Sequence, residues 1–105
     1  MEFIAAKLEL NTIAFISGGA TISMGLIKDA QIPLHKGDVR AFGILSEEYA
    51  MCFVKITDIR CNTVEAVVQS VGVKIIDDGR LNCLGEGSNV WLGSKPKTEE
   101  VSEII

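Results

Sequence analysis

Short β-branched runs separated by glycine-containing turn signals most constrain the fold of this chain. The run Thr12–Ile16 and the alternating run Ala20–Met24 flank Ser17-Gly18-Gly19, a spacing typical of a β-hairpin. Similar runs recur along the chain without a sustained helical periodicity. The sequence therefore predicts an all-β fold, a small antiparallel β-barrel or sandwich of about six to seven short strands.

The other predicted elements follow the same pattern of short runs and turns. Ser46 followed by Glu47 and Glu48 resembles a helix cap, but the β-branched residues after it favour a turn and then a strand over Ala50–Ile59. The remaining expectations are a strand or short helix over Glu2–Leu10 that ends at Asn11-Thr12, a loop over Ile27–Asp38 with Gly37 in a polar turn, a strand over Val39–Leu45, a strand over Thr63–Ile76 with a bulge or turn at Gly72, a hairpin turn at Asp78-Gly79, a returning strand over Leu81–Gly85 and a last strand over Val90–Gly93.

Chain length and charge set the class of protein. A chain of 105 residues buries one modest core, so residues 1–94 are predicted to form one β-barrel domain. Residues 95–105 are predicted to form a polar C-terminal tail, compatible with a short helix. The net charge of −4, with ten dispersed Lys and Arg, disfavours nucleic acid as a partner. Without an apolar stretch of roughly 20 residues or a signal-peptide pattern, we expect a cytoplasmic protein with no membrane insertion.

The sequence offers few groups suited to catalysis or metal binding. A lone loop histidine, His35, offers no base beside a nucleophile, and adjacent carboxylates in Glu47-Glu48 and Asp77-Asp78 serve better as turn formers than as an acid/base pair. The cysteines have no disulfide or zinc spacing and are expected to be reduced, mostly buried thiols; they are Cys52, Cys61 and Cys83. The sequence thus predicts no enzyme, no metal site and no cofactor.

Three interpretations of the segment around Ser17, Gly18 and Gly19 are compared: a phosphate loop, a hairpin turn and a ligand motif. As a phosphate loop it lacks the Gly-Lys-Ser/Thr ending, and its continuation looks extended rather than helical. The plain interpretation is a hairpin turn. The alternative is a ligand motif: "FISGGATIS" (Phe15–Ser23), "PLHKGDV" (Pro33–Val39) and "SVGVKIIDD" (Ser70–Asp78) follow one another in an order that resembles the PilZ domain family.

This resemblance spans about Thr12 to Asp78 and implies a six-stranded antiparallel barrel. At the ligand site, however, this sequence departs from the pattern of the family. PilZ domains that bind cyclic di-guanylate carry paired arginines ahead of the barrel, whereas no arginine precedes Thr12 here. The motif's aspartate and serine positions are occupied by Ala14 and Ile16, so Ser17, Gly18 and Gly19 are at most a remnant of a ligand motif. Arg40, Arg60 and Arg80 are too dispersed to be assumed a replacement.

The resemblance therefore implies the branch of the family that does not bind nucleotide and acts through protein contacts in type IV pilus biogenesis and related surface behaviour. Candidate interface residues are Trp91, Phe42 and Tyr49; the alternative is that Trp91 plugs one end of the barrel and that the other two lie in the core. The first expectation for function is a non-catalytic signalling adaptor with a protein partner. The second is a β-rich subunit of a phage, injection-type or shell-like assembly, a homo-oligomer packed through strand edges.

Overall fold

The computed structural model describes residues 4–16, 19–26, 30–47, 49–69 and 84–95. Six strands lie within them: β1 (Ala6–Ile16), β2 (Gly19–Leu26), β3 (Val39–Ile44), β4 (Cys52–Arg60), β5 (Thr63–Gln69) and β6 (Asn89–Leu92). They close into a barrel in the order β1-β2-β5-β4-β3-β6, and every pair is antiparallel. The all-β prediction is confirmed, and the barrel rather than the sandwich is found. No helix in the described part of the chain is long and apolar enough to cross a membrane.

β1 is one strand where the sequence indicated two segments. The expectation that Asn11-Thr12 ends the first segment is wrong, as is the short helix. Leu10 pairs with Met24 and Thr12 with Ser23, so the register shifts at Asn11. This β-bulge leaves Asn11 exposed while pairing continues on both sides. A polar residue that would interrupt a regular strand is accommodated in this way.

The β1–β2 hairpin is confirmed. Its last pair is Ile16 with Gly19, so β2 begins at Gly19, while Ser17 and Gly18 lie outside the described residues. The helix alternative after Ser46 is wrong, because β4 is a strand paired on both sides. The expected bulge or turn at Gly72, the Asp78-Gly79 turn and most of the returning strand lie outside the described residues, as do residues 96–105 of the tail. Leu84 and Gly85 are described but belong to no strand.

Side chains that alternate inward along all six strands fill the barrel. Leu34, from the loop before β3, is half-buried and packs against this core. The loop is held by the Gln31 N–H, which donates to Ala5 O at 2.6 Å, and by the Gly37 N–H, which donates to Ile56 O at 2.8 Å. Gly37 has the expected positive φ, at 96°. The core consists of Ala6, Leu8, Leu10, Ile22, Met24, Phe42, Val54, Ile56, Val64, Ala66, Val90 and Leu92.

The two ends of the barrel carry different loops. The upper end comprises the β3–β4 loop, residues 45–51, and residues 84–88 before β6; the Leu45 N–H donates to Asn89 O, which joins the two segments. The lower end comprises residues 30–38, the turn Cys61-Asn62 and residues 93–95. Antiparallel pairing of neighbouring strands assigns each loop to its end.

The β4–β5 turn contains a strained residue. Arg60 pairs with Thr63, so Cys61 and Asn62 form a two-residue turn, and Cys61 has a φ of 52°. Two-residue hairpin turns of this kind favour Gly or Asn where φ is positive. Cysteine gains nothing there from packing, because it is exposed.

We expect Cys61→Asn to raise the free energy of unfolding by about 0.5–1 kcal/mol, since Asn tolerates positive φ better than Cys. Cys61→Val should lower it, because a β-branched residue is least tolerant of this backbone region. Urea unfolding of both variants beside the wild type measures the difference. Equal midpoints for Asn and Val would contradict strain at this position.

Candidate functional site

Trp91 is buried against the outer wall of the barrel. Its neighbours Val90 and Leu92 are core residues, so strand alternation directs Trp91 to the other face of β6. Only 1% of its surface is exposed. The expectation that Trp91 plugs one end of the barrel is therefore corrected: the indole is buried, but outside the ring. With so little exposed area it offers a partner no contact surface.

Gly43 provides the space for this indole. It is the residue of β3 paired with Trp91, and a Cβ at Gly43 would lie 2.4 Å from Trp91 Cζ2 and 2.5 Å from Cε2. Non-bonded carbon atoms do not approach this closely. Any side chain at position 43 would therefore force the Trp91 indole to move. A glycine inside a strand commonly marks such a close approach.

The indole also holds the β3–β4 loop in place. Trp91 Nε1–H donates to Ile44 O at 2.9 Å and to Glu47 O at 3.2 Å. The Glu47 N–H donates to Ile44 O at 2.9 Å, and the Met51 N–H donates to Phe42 O at 2.8 Å. The start and the end of the loop are thus tied to the barrel, and its middle is tied to a buried side chain.

Two large apolar side chains of this loop are exposed. Tyr49 is 74% exposed and Leu45 is 40% exposed, and they are the exposed large hydrophobic residues among those described. We call Leu45 and Tyr49 the loop surface. Of the three interface candidates taken from the sequence, Tyr49 alone lies at the surface, while Phe42 is a fully buried core residue. The loop surface is the candidate functional site.

An ion cluster around the buried Arg40 occupies the lower end. Arg40 points into the barrel opposite Val54 and is 6% exposed. Its Nη1 donates to Gly93 O at 3.3 Å, and its Nη2 lies 3.6 Å from Asp38 Oδ2. Lys95 Nζ lies 3.7 Å from Asp38 Oδ1. Arg40 Nε is buried and has no hydrogen-bond partner among the described residues, while Asp38 supplies a counter-charge to the guanidinium.

Among the described residues, no arginine lies near the tip of the β1–β2 hairpin, which flanks the ligand-motif remnant. Ala14 pairs with Thr21 near the tip of the β1–β2 hairpin, beyond the upper end of β6. Arg40 and Arg60 both lie at the lower end, and Arg80 lies outside the described residues. The arginines that the structure places are therefore at the end of the barrel opposite the remnant.

The described groups with catalytic potential lie on separate segments of the fold. His35 is exposed in the loop before β3. Burial raises the pKa of the Cys52 thiol to about 12, which keeps it protonated at neutral pH. The expectation of mostly buried thiols is wrong for Cys61, which is exposed on the β4–β5 turn, and Cys83 lies outside the described residues. Among the residues described, no three His, Cys, Asp or Glu side chains are grouped to hold a metal ion.

Gly43→Ala should lower the free energy of unfolding by about 1–3 kcal/mol, because the added methyl group displaces the indole. Trp91 is the single tryptophan, so its fluorescence emission should shift to longer wavelength as the indole gains solvent. Gly85→Ala is the matched control, since a Cβ there meets nothing within 4 Å. An unchanged midpoint and emission spectrum for Gly43→Ala would refute the close approach.

Asp38→Asn should destabilise the protein by about 3 kcal/mol, because it leaves the buried Arg40 charge without a counter-charge. Asp58→Asn is the control. The hydrogen bond from the Arg60 side chain lowers the pKa of Asp58, but the Arg60 side chain is 86% exposed, so water screens this pair. Chemical unfolding should show a clear shift for Asp38→Asn and little change for Asp58→Asn. Similar shifts for both variants would argue against a special role of the buried pair.

No protein-family model, curated protein or solved structure matches the chain. What the chain does is therefore inferred from its own residues: the loop surface at the upper end, the buried Trp91 behind it, and the ion cluster at the lower end.

Proposed function

We propose that this chain is a non-catalytic protein-interaction module, a PilZ-like β-barrel that docks on a partner protein and does not bind cyclic di-guanylate. The observation that carries the proposal is the loop surface, where Leu45 and Tyr49 are displayed on a loop that Trp91 ties to the barrel. Exposed aromatic residues often dominate the binding energy of an interface. A loop that hydrogen bonds hold to the barrel at Ile44, Glu47 and Met51 loses less conformational entropy when it binds.

Two further observations support this proposal. A closed six-stranded antiparallel barrel is the architecture that the PilZ resemblance implies. The positions where that resemblance requires polar groups carry Ala14 and Ile16, and both described arginines lie at the opposite end. Arginine forks are the groups best suited to grip phosphates, so this arrangement favours protein contact over nucleotide binding.

The alternative, a structural subunit of a phage, injection-type or shell-like assembly, was expected to pack through strand edges. Each of the six described strands has a neighbour on both sides, and a closed barrel removes free edges over its paired length. Such a subunit would have to assemble through the barrel ends instead.

The protein-contact part is tested by affinity capture from an extract of the native host. Tyr49→Ser should reduce the recovery of a specific partner about tenfold or more, the loss expected for an interface hot spot. Lys55→Ala is the control, since Lys55 is exposed on the wall of the barrel. Equal recovery by wild type and Tyr49→Ser would overturn the assignment of the loop surface.

The nucleotide part is tested by titrating cyclic di-guanylate into the protein in a calorimeter. We expect no saturable heat, because the described residues place no arginine beside the hairpin tip. Binding with a dissociation constant of about 1–10 μM would show that other residues replace the missing arginines, and would refute this part of the proposal.

A further inference from the structure

The buried guanidinium of Arg40 has more hydrogen-bond donors than the described residues satisfy. A guanidinium is a donor at each nitrogen and has no acceptor. Nη1 donates to Gly93 O at 3.3 Å, whereas Nη2 lies 3.6 Å from Asp38 Oδ2, beyond direct hydrogen-bond distance. Nε is buried and meets no acceptor among the described residues. Buried donors in proteins are nearly always paired, so we expect a water molecule or a bound ion at Nε.

The charges of the ion cluster favour an anion over water at this place. Lys95 Nζ lies 3.7 Å from Asp38 Oδ1, so two cations, Arg40 and Lys95, share the single carboxylate of Asp38. That carboxylate is also engaged by the backbone, because the His35 N–H donates to Asp38 Oδ2 at 3.1 Å. The cluster therefore carries one positive charge that no described carboxylate compensates.

The other described charges of the lower end compensate one another. Arg60 pairs with Asp58, and Lys36 lies near enough to Asp58 to act on its carboxyl group. Glu65 is exposed directly opposite Asp58 across the β4–β5 pair. Two cations thus stand beside two carboxylates here, and the surplus of positive charge belongs to the ion cluster.

We propose that the ion cluster binds one small carboxylate anion, with a carboxylate oxygen accepting from Arg40 Nε–H and Lys95 supplying the second positive charge. A monoanion matches the single surplus charge, and a planar guanidinium is well suited to a carboxylate. A phosphate group carries about −1.5 to −2 charges at neutral pH, so it would exceed the surplus and repel Asp38.

Burial decides the size of the ligand and its direction of approach. The side chains of Arg40 and Asp38 are 8% and 13% exposed, whereas that of Lys95 is 61% exposed. A group that reaches Nε has to be small, which favours a free carboxylate of the size of acetate over a side chain of a docked protein. The anion approaches past Lys95, the most exposed cation of the cluster, which attracts it from solvent.

Nuclear magnetic resonance of the nitrogen-15-labelled full chain tests binding at Nε directly. The arginines of the chain are Arg40, Arg60 and Arg80, so Arg60→Lys and Arg80→Lys identify the Arg40 Nε–H signal by elimination. Sodium acetate added at constant ionic strength should shift this signal saturably, with a dissociation constant of about 1–10 mM. A signal that does not respond to acetate would overturn the inference, and so would an equal response to sodium chloride.

Lys95→Gln tests the second positive charge without touching Arg40. It should weaken acetate binding about threefold to fivefold, the loss expected when a partly exposed charge is removed. Lys55→Gln is the matched control, since Lys55 is exposed on the wall of the barrel, and it should bind acetate like the wild type. Unchanged binding by Lys95→Gln, or an equal loss in Lys55→Gln, would contradict the proposed site.

Two further titrations define the ligand and separate this inference from the proposed function. Phosphate at the same ionic strength should shift the Arg40 signal less than acetate does, and tighter binding of phosphate would overturn the assignment to carboxylates. Tyr49→Ser should respond to acetate like the wild type, because the loop surface lies at the other end of the barrel. Partner capture and the acetate response therefore fail or succeed independently.

Discussion

Closure of the ring by β6 is the constraint on which the rest of the structure depends. This strand has four residues, yet it pairs with β3 on one side and β1 on the other. Val90 and Leu92 complete the core, and Trp91 covers the outside of β3. Without β6, β1 and β3 would each present a free edge, and free edges invite non-native pairing. A short strand closes the barrel because three consecutive side chains are buried, two inside and one outside.

The close approach of Trp91 to Gly43 connects closure with the candidate site. The same indole that covers β3 donates hydrogen bonds to Ile44 O and Glu47 O. The β3–β6 contact that closes the barrel and the position of the β3–β4 loop therefore depend on one side chain. Tyr49 is displayed by a loop whose backbone is fixed from behind. The buried Trp91 thus holds part of the loop that carries the exposed Tyr49.

Charged side chains meet at the lower end of the barrel. Arg40 occupies an inward position of β3 where the neighbouring strand supplies Val54. A cation can remain there because Asp38 precedes the strand and Gly93 O faces the guanidinium. Among the described residues, the barrel therefore carries an ion cluster at its lower end and the exposed Leu45 and Tyr49 at its upper end.

By itself, the sequence determined the all-β class, the β1–β2 hairpin, the strand at β4 and the loop position of His35, because these depend on local alternation and turn residues. It also identified Tyr49 as an interface candidate, but alongside Phe42 and Trp91, since aromatic side chains look alike until burial separates them. Tertiary structure alone decided that Asn11 forms a bulge within one strand, that Arg40 lies inside the barrel, and that Gly43 accommodates Trp91. The physical reason is that Gly43 and Trp91 lie far apart in the chain and meet only across the paired strands β3 and β6, and no local pattern encodes such a contact.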